Sequence, residues 1–254
     1  MIDIHSHILY GLDDGSRSLE ESVAMVRMAA ENGTSDIVAS PHANLEFRFQ
    51  PELVQKRIAE VQEAAGAATR IHYGCDFHLS YDNIQDAIAH PGRYSINHRN
   101  YILVEFSDLT IFHTTTSIFE QLLQAGLSPI ITHPERNLLL QQRRKELEGW
   151  VEMGCFIQVT GQSFLGRFGN RARDFSCLLM NHGMVHFIAS DAHDLQHRPT
   201  TLEPVRKHLV AEYGEAAARR LLVENPKAVL EGSPLDRTAI SELTPARKWY
   251  RFWA

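Results

Sequence analysis

The chain has 254 residues, 44% of them hydrophobic and 22% charged, which suits one α/β barrel or two small domains around a large core. Its formal net charge of −6 and the lack of a long basic run argue against a nucleic-acid partner. No apolar stretch approaches the roughly 20 residues of a membrane span. The first residues lack the basic region and apolar run of a signal peptide, so we expect a cytoplasmic protein.

Short apolar runs alternate with longer segments of helical periodicity, the pattern of βα units that build a parallel sheet. Strands are predicted near residues 2–5, 36–40, 71–75, 101–105, 129–132, 155–160 and 185–189. Helices are predicted over Ser18–Asn32, Pro51–Ala65, Thr114–Ala125, Leu138–Met153, Asn170–Asn181, Thr200–Tyr213 and Glu215–Val223. The sequence therefore predicts an α/β fold with seven parallel strands and an outer layer of helices.

No low-complexity linker and no internal repeat interrupts this pattern, so we predict one domain over residues 1–232 and a C-terminal tail over residues 233–254. The tail ends in the basic aromatic sequence Arg247–Trp253, which could dock onto a partner or a membrane surface. We expect it to pack back onto the domain, because burial of its aromatic side chains would hold it there.

The three cysteines, Cys75, Cys155 and Cys177, are odd in number and widely spaced. This pattern predicts reduced thiols in a cytosolic protein. None of them has an arginine six positions later, which is the spacing of the phosphate-binding loop in thiol-based tyrosine phosphatases. Nucleophilic cysteine chemistry of that kind is excluded.

Five histidines each close an apolar, strand-like run, and three carboxylates occupy comparable positions. The histidines are His5, His7, His42, His133 and His193, and the carboxylates are Asp76, Glu105 and Asp191. In a parallel α/β barrel the C-terminal ends of the strands meet at one mouth, where the catalytic groups lie. We therefore expect these eight side chains to form one site.

Imidazoles and carboxylates together favour Mn²⁺, Fe or Zn²⁺ over a structural zinc bound by thiolates. Alternation along a strand would let His5 and His7 point to the same side, and would do the same for Asp191 and His193. Eight candidate ligands exceed the number that one ion uses, so we expect two or three ions with a bridging carboxylate. Paired ions about 3.5–4 Å apart suit displacement at phosphorus, with a bridging water as the nucleophile.

Each of these histidines taken alone is better explained as a cap or a core residue that bonds to the backbone. It is their combination with the carboxylates that favours a metal site. The other nine histidines, such as His72 and His186, are assigned structural or surface roles.

Five blocks of sequence resemble the PHP (polymerase and histidinol phosphatase) superfamily. The blocks are His5-Ser-His7, Gly11-Leu-Asp-Asp-Gly15, Ser40-Pro-His42, Thr132-His-Pro-Glu-Arg136 and Ser190-Asp-Ala-His193. Within this superfamily the chain is most similar to the manganese-dependent protein-tyrosine phosphatases of bacterial capsular and exopolysaccharide systems. The resemblance covers about residues 1–230 in consistent order.

This resemblance implies a distorted seven-stranded parallel (β/α)7 barrel, similar to a TIM barrel, with a trinuclear centre that usually holds Mn²⁺. Carried over by position, it implies metal ligands at His5, His7, His42, Glu105, His133, Asp191 and His193. Asp76 falls where the family generally has a bridging glutamate, and Asp14 would bind a metal or orient a ligand. Many relatives have another histidine after His42, where this chain continues with Ala43 and Asn44.

Two arginines are candidates to bind a phosphoryl group, because a planar guanidinium matches its oxygens. Arg136 follows His133 by three residues and Arg198 follows His193 by five. Each of them could instead be a salt-bridged surface residue. We predict no dedicated general acid, because a phenolate leaving group, with a parent pKa of about 10, needs little assistance.

The leading hypothesis is therefore metal-dependent hydrolysis of phosphotyrosine on a protein. The resemblance implies that the substrate is the tyrosine-rich tail of a partner autokinase that controls polysaccharide export. An alternative retains the metal centre but acts on a small phosphate ester such as histidinol phosphate. A second alternative is a non-catalytic binding module in which metal serves only the structure.

Overall fold

The computed structural model of the chain describes residues 1–235. Its strands are β1 (Ile2–Ser6), β2 (Asp36–Ala39), β3 (His42–Ala43), β4 (Arg70–Tyr73), β5 (Asp76–His78), β6 (Tyr101–Glu105), β7 (Ser128–Thr132), β8 (Phe156–Thr160) and β9 (Phe187–Ala189). Its α-helices are α1 (Leu19–Glu31), α2 (Pro51–Ala65), α3 (Tyr81–Ala89), α4 (Thr115–Gln124), α5 (Leu138–Gln141), α6 (Arg144–Met153), α7 (Gly161–Phe164), α8 (Gly169–Asn181), α9 (Glu203–Tyr213), α10 (Glu215–Arg219) and α11 (Asn225–Glu231). Short 3₁₀ turns at Pro91–Arg93 and Ile96–His98 and a π turn at Arg220–Glu224 complete the described part.

All strand pairs among the described residues are parallel, which confirms the α/β class. The strands form a three-stranded sheet of order β1-β2-β4 and a six-stranded sheet of order β3-β5-β6-β7-β8-β9. A single closed sheet of seven strands is not confirmed. Two backbone hydrogen bonds nevertheless join β1 to the segment after β9, from Asp191 N to His5 O (2.9 Å) and from His7 N to Ala192 O (2.8 Å).

The predicted strands near 36–40 and 71–75 correspond to β2 and β4, and each is followed by a short strand, β3 or β5, that was not predicted. Pro41 separates β2 from β3, and it cannot donate a hydrogen bond to a neighbouring strand because proline has no N–H. Gly74 lies between β4 and β5, where a Cβ atom would come within 2.4 Å of the Val38 side chain. The close approach of the Val38 side chain to the Gly74 backbone therefore requires a glycine here.

Five of the predicted helices are confirmed to within three residues at each end, namely α1, α2, α4, α8 and α9. Ser18 caps the N-terminus of α1, since its Oγ accepts a hydrogen bond from Glu21 N. The prediction of one helix over Leu138–Met153 is wrong, because the chain forms α5 and α6 with a break between them. The predicted helix over Glu215–Val223 is likewise divided into α10 and the π turn, and helices α3, α7 and α11 were not predicted.

Two buried apolar clusters support the strands. The larger cluster packs the strands against the helices, with Met25, Ile37 and Trp150 among its members. The smaller one is formed mainly by residues from the first half of the strands, including Ile2, Tyr101 and Phe156, and Val229 of α11 packs against it. The interior is thus apolar at the N-terminal ends of the strands and polar at their C-terminal ends, where the candidate site lies.

No helix within residues 1–235 is long and apolar enough to cross a membrane. The basic aromatic sequence Arg247–Trp253, which we expect to pack onto the domain, lies outside the described residues. The domain boundary near residue 232 stays a prediction.

Candidate metal centre

The structure brings the nine predicted metal ligands together at one end of the strands. They are His5, His7, Asp14, His42, Asp76, Glu105, His133, Asp191 and His193. Their ligand atoms form four overlapping groups, within each of which all atoms lie within 4.8 Å of one another. The groups are His7-Asp14-His42-His193, His5-His7-Asp76, His5-His133-Asp191 and His42-Asp76-Glu105.

His5 and His7 present two nitrogen lone pairs to each other. His5 Nδ1 lies 2.8 Å from Gln158 Oε1, and His7 Nδ1 lies 2.7 Å from Asp13 Oδ2. Each acceptor places the ring proton on Nδ1, which leaves Nε2 unprotonated in the neutral ring. The two Nε2 atoms are 3.2 Å apart. When both rings are neutral, the two facing lone pairs repel unless a cation lies beside both, and either a proton or a metal ion supplies that cation, so this arrangement fits a metal ion.

Asp76 is a buried carboxylate with no hydrogen-bond donor for either oxygen. Its Oδ2 atom lies 3.1 Å from His42 Nδ1 and 3.6 Å from His5 Nε2. Burial alone would raise the pKa of Asp76, but His5 and His42 hold it well below its usual value. A buried, ionised carboxylate is costly unless positive charge compensates it, which protonated imidazoles or bound metal ions can supply. Asp76 also belongs to two of the four groups, which fits a bridging ligand.

The carboxylates give the site a negative potential. Burial lowers the pKa of His5, but Asp76 and Asp191 outweigh this effect and raise it to about 9. Burial likewise lowers the pKa of His42, while Asp14, Asp76 and Glu105 raise it well above its usual value. The field that favours protonated imidazole at these two positions also favours the binding of divalent cations.

His133 and His193 differ from these two histidines because their environment favours the neutral ring. Burial and the nearby Arg136 hold the pKa of His133 well below its usual value. Burial and the neighbouring His7 lower the pKa of His193 to about 4. Neutral imidazole is the form that binds a metal, so both rings are available as ligands.

The backbone at His133 and Asp191 turns sharply to direct their side chains into the site. Both residues have positive φ, at 32° and 51°, which is uncommon for residues other than glycine. Hydrogen bonds hold each turn in place, from His133 N to Gln158 O (2.8 Å) and from Asp191 N to His5 O (2.9 Å). Neighbouring strands therefore stabilise a conformation that these residues would not adopt by themselves.

The two predicted phosphate-binding arginines converge on one carboxylate oxygen. Arg136 Nη1 and Arg198 Nη2 both donate hydrogen bonds to Asp191 Oδ2. The Arg136 guanidinium also lies 4.4 Å from the centre of the Phe168 ring. Both side chains remain about a quarter exposed. They are therefore fixed at the edge of the cluster with donors left to face an incoming ligand.

Sequence reasoning missed three residues that hold the site together. Asp13 Oδ2 accepts hydrogen bonds from His7 Nδ1 and from His42 N (3.1 Å). Gln158 orients the His5 ring. Glu135 is fully buried, and its Oε1 atom accepts hydrogen bonds from Thr160 N (3.0 Å) and Ser163 Oγ (2.7 Å). Two features of the sequence could have indicated two of these residues. Asp13 is one of two adjacent aspartates after β1, and Gln158 is a polar residue within an otherwise apolar strand.

A cavity of about 100 Å³ opens beside the cluster. Its lining is formed by Glu105, Phe106, Asp108, Thr132, His133, Arg136 and Asn137. Two predicted metal ligands and one predicted phosphate-binding arginine thus face the same space.

Comparison with known proteins agrees with this geometry. The chain is 31% identical to tyrosine-protein phosphatase YwqE of Bacillus subtilis, over 93% of this chain and 94% of that protein. It is 29% identical to tyrosine-protein phosphatase CpsB of Streptococcus agalactiae, over 91% of this chain and 98% of that protein. A crystal structure from work on YwqE and on CpsB of Streptococcus pneumoniae, described as unique metal-dependent tyrosine phosphatases, matches with a TM-score of 0.86 and 28% identity. That match covers 98% of this chain and 100% of the other.

The sequence also matches, over residues 1–231, the family described as "Capsular polysaccharide synthesis, CpsB/CapC". This range includes all nine clustered side chains and both arginines. The chain therefore belongs to the CpsB/CapC family.

Proposed function

We propose that the protein is a metal-dependent protein-tyrosine phosphatase, which hydrolyses the phosphate ester of phosphotyrosine on a protein substrate. The observation that carries this proposal is the position of Arg136 and Arg198 at the edge of nine clustered potential ligands. The two arginines suit a phosphoryl group, and the clustered ligands suit the metal ions that promote its hydrolysis. The relatives named above are tyrosine-protein phosphatases, and the chain matches them over nearly their whole length.

The nine clustered side chains would hold two or three Mn²⁺ ions. Five imidazoles and four carboxylates suit Mn²⁺, with Fe or Zn²⁺ as alternatives. Thiolate is absent from the donor set, since burial raises the pKa of the nearby Cys75 thiol well above its usual value and keeps it protonated. Bound ions supply Lewis acidity and lower the pKa of water.

The protein's own groups orient the ester. Arg136 and Arg198 would bind the non-bridging phosphate oxygens through their exposed donors, while Asp191 keeps both guanidinium groups in place. Packing against Phe168 further restricts Arg136. Asp13 and Gln158 hold His7 and His5 in the tautomers that direct Nε2 inward.

The physiological partner in our proposal is a bacterial tyrosine autokinase that regulates the synthesis and export of capsular polysaccharide or exopolysaccharide. The family description, which names capsular polysaccharide synthesis, supports this choice. We place the reaction in the cytoplasm. The three cysteines are free rather than paired, as expected for a reducing compartment.

We also propose that the strands form a distorted seven-stranded (β/α)7 barrel. If β2 and β3 count as one interrupted strand, and β4 and β5 as another, the two sheets contain seven strand positions in succession. The hydrogen bonds from Asp191 N and His7 N then connect the last position to the first.

The decisive experiment measures turnover by the purified protein with Mn²⁺ on p-nitrophenyl phosphate, on a phosphotyrosine peptide and on histidinol phosphate. We expect hydrolysis of the first two that depends on Mn²⁺ and stops on chelation. Absence of turnover on both would contradict the proposal. A higher kcat/KM for histidinol phosphate than for the peptide would instead favour a small-molecule phosphatase.

A further inference from the structure

The cavity beside the metal cluster contains one carboxylate that belongs to none of the candidate metal groups. Asp108, in the loop after β6, lines this cavity together with His133 and Arg136, but it is not part of the four groups of potential ligands. Its side chain is exposed, and no cation pairs with it within residues 1–235. A negative charge in the same cavity as a phosphate-binding arginine opposes the approach of a phosphate dianion. A substrate that binds here must therefore offset this repulsion by another contact.

Asn137 fixes the position of Asp108. Asn137 Nδ2 donates hydrogen bonds to Ser107 O (3.0 Å) and to Asp108 Oδ1 (3.3 Å). Its Oδ1 atom accepts hydrogen bonds from Leu139 N and Leu140 N, both at 3.0 Å, in the first turn of α5. These four bonds use both N–H donors and both acceptor lone pairs of the amide. The buried Asn137 side chain therefore joins the loop after β6 to α5 and orients one oxygen of Asp108.

The loop that carries Asp108 is also restricted from within. Phe106 is buried, and its ring stacks on the Trp150 ring with centres 5.5 Å apart. Ser107 Oγ accepts a hydrogen bond from Leu109 N (3.1 Å), which closes a tight turn around Asp108. Asp108 Oδ2, in contrast to Oδ1, accepts no hydrogen bond from the part of the chain that the structure describes. The carboxylate thus has a fixed position and one free acceptor atom.

Only a substrate with a hydrogen-bond donor can use this free oxygen. An aryl phosphate dianion offers acceptors but no donor. A phosphorylated protein segment also carries backbone N–H groups beside the phosphotyrosine. The repulsion by Asp108 acts on both kinds of substrate, whereas the compensating hydrogen bond is available to the protein segment alone. A basic side chain could also donate, but a backbone N–H keeps the same distance from the phosphotyrosine ring in every sequence.

We propose that Asp108 is a specificity-determining residue whose Oδ2 atom accepts a hydrogen bond from a backbone N–H of the substrate, either at the phosphotyrosine or at the residue after it. This inference rests on the proposed phosphatase function and specifies how the site distinguishes protein substrates from small esters. Arg136 binds the phosphate in the same cavity. Because the contact involves the backbone, it applies to every tyrosine of a tyrosine-rich segment.

The test compares four substrates of the full chain in the presence of Mn²⁺. Phenyl phosphate has the leaving group of phosphotyrosine but no backbone. A phosphotyrosine peptide without lysine or arginine provides the backbone N–H groups and no basic side chain. In two further peptides, an ester oxygen replaces the backbone N–H of the phosphotyrosine or that of the following residue.

The variant is Asp108→Ala, and Asp174→Ala is its matched control. Asp174 is also an exposed aspartate, and its replacement changes the net charge by the same amount, but it lies in α8 and does not line the cavity. The ratio of kcat/KM for two substrates does not depend on the active fraction of a preparation, so partial unfolding of a variant cannot change it.

We expect Asp108→Ala to lower kcat/KM for the unmodified peptide about fivefold to tenfold, since a hydrogen bond to a charged group is lost. The same variant should raise kcat/KM for phenyl phosphate about twofold, because a like charge is removed. One of the two ester peptides should lose about fivefold to tenfold with the unaltered protein and nothing further with Asp108→Ala, since both changes remove the same bond. Asp174→Ala should stay within about twofold of the unaltered protein on every substrate.

Equal losses by Asp108→Ala on phenyl phosphate and on the peptide would assign Asp108 to the chemistry or the shape of the cavity and would overturn the inference. Full activity on both ester peptides, or losses that add to that of Asp108→Ala, would do the same, because no N–H would then contact Asp108. These outcomes leave the phosphatase function intact. Absence of Mn²⁺-dependent turnover on both phenyl phosphate and the peptide by the unaltered chain would overturn the phosphatase function and this inference with it.

Discussion

The proton positions on His5 and His7 depend on two residues that bind no metal in our proposal. Gln158 and Asp13 accept the Nδ1 protons and direct the Nε2 lone pairs toward each other. The histidines could be predicted from the sequence because each follows an apolar run. The role of Gln158 could not, since it depends on a hydrogen bond between residues 153 positions apart.

Replacement of Asp13 by alanine is expected to weaken Mn²⁺ binding about 10- to 100-fold, because His7 loses the acceptor that fixes its tautomer. Asp13→Asn keeps an acceptor oxygen and should have a smaller effect. Calorimetric titration of the metal-free proteins with Mn²⁺ measures both changes. An unaltered affinity in Asp13→Ala would show that His7 does not need this partner.

Replacement of Arg136 by alanine is expected to lower kcat/KM for phosphotyrosine about 10²- to 10³-fold, as loss of a donor to a developing anion generally does. Lysine should not restore the activity, since it lacks the planar pair of donors. Steady-state kinetics gives the result, and the Mn²⁺ content of each variant is the control because Arg136 also contacts Asp191. Activity within threefold of the unaltered protein at full Mn²⁺ content would exclude the role in phosphate binding.

At the scale of elements, the sequence predicts the positions of strands better than their continuity. Hydrophobic runs predict single strands near 36–40 and 71–75, but the chain pairs again beyond Pro41 and Gly74, where β3 begins at His42 and β5 at Asp76. The effect of Gly74 could not be predicted, because it depends on the close approach of Val38 from a neighbouring strand. The interruptions matter for the site, since they place His42 and Asp76 opposite each other in register.

Gly74→Ala is therefore expected to destabilise the protein by about 1–3 kcal/mol, the usual range for excess volume in a packed core. Gly149→Ala, in the exposed surroundings of α6, is the matched control, because its added Cβ meets no atom within 4 Å. The control should be neutral or stabilising by up to about 1 kcal/mol. Urea unfolding of both variants measures the difference, and equal stabilities would refute the packing argument.

Glu135, in the loop after β7, accepts hydrogen bonds from Thr160 at the end of β8 and from Ser163 in α7. Titration of its buried carboxyl should make the free energy of unfolding depend on pH. Burial raises the pKa of the Glu135 carboxyl from 4.5 to about 7. The folded protein thus retains a proton that the unfolded chain releases, so the free energy of unfolding falls as the pH rises from about 4.5 to 7. Glu135→Gln removes this titration.

Relative to the unaltered protein, Glu135→Gln should gain about 3 kcal/mol of stability between pH 4.5 and pH 8. Chemical denaturation of both metal-free proteins at these two pH values gives the difference. A constant difference at the two pH values would mean that Glu135 titrates normally in the folded state.

At the scale of the whole molecule, the alternation of strands and helices was sufficient to predict an α/β fold. It was not sufficient to predict two sheets of three and six strands, since sheet membership depends on pairing between residues far apart in the chain. The proximity of the nine side chains was predicted more completely than the topology. Most of them follow an apolar run, so the convergence of parallel strands brings them together, whereas Asp14 depends on the path of the loop after β1 and His42 and Asp76 on the strands β3 and β5 that they begin.

Metal removal should lower the stability of the whole domain, because the cluster then retains mutually repelling carboxylates around Asp76 and Glu105. Mn²⁺ at about 100 times its dissociation constant should restore roughly 2.7 kcal/mol. Thermal unfolding with chelator, with Mn²⁺ and with Mg²⁺ measures this effect, with the largest increase in Tm expected for Mn²⁺. A Tm that is independent of all three additions would argue against ion binding by the folded state.

The hydrogen bonds between residues 5–7 and residues 191–193 have a consequence for biosynthesis. A ribosome-bound chain that has not yet reached Asp191 lacks two of the nine clustered side chains and the segment that closes against β1. Shorter nascent chains therefore contain several of the imidazoles but lack the segment that completes the cluster. Catalytic competence in such a protein is acquired late and abruptly, when most of the polypeptide has left the ribosome.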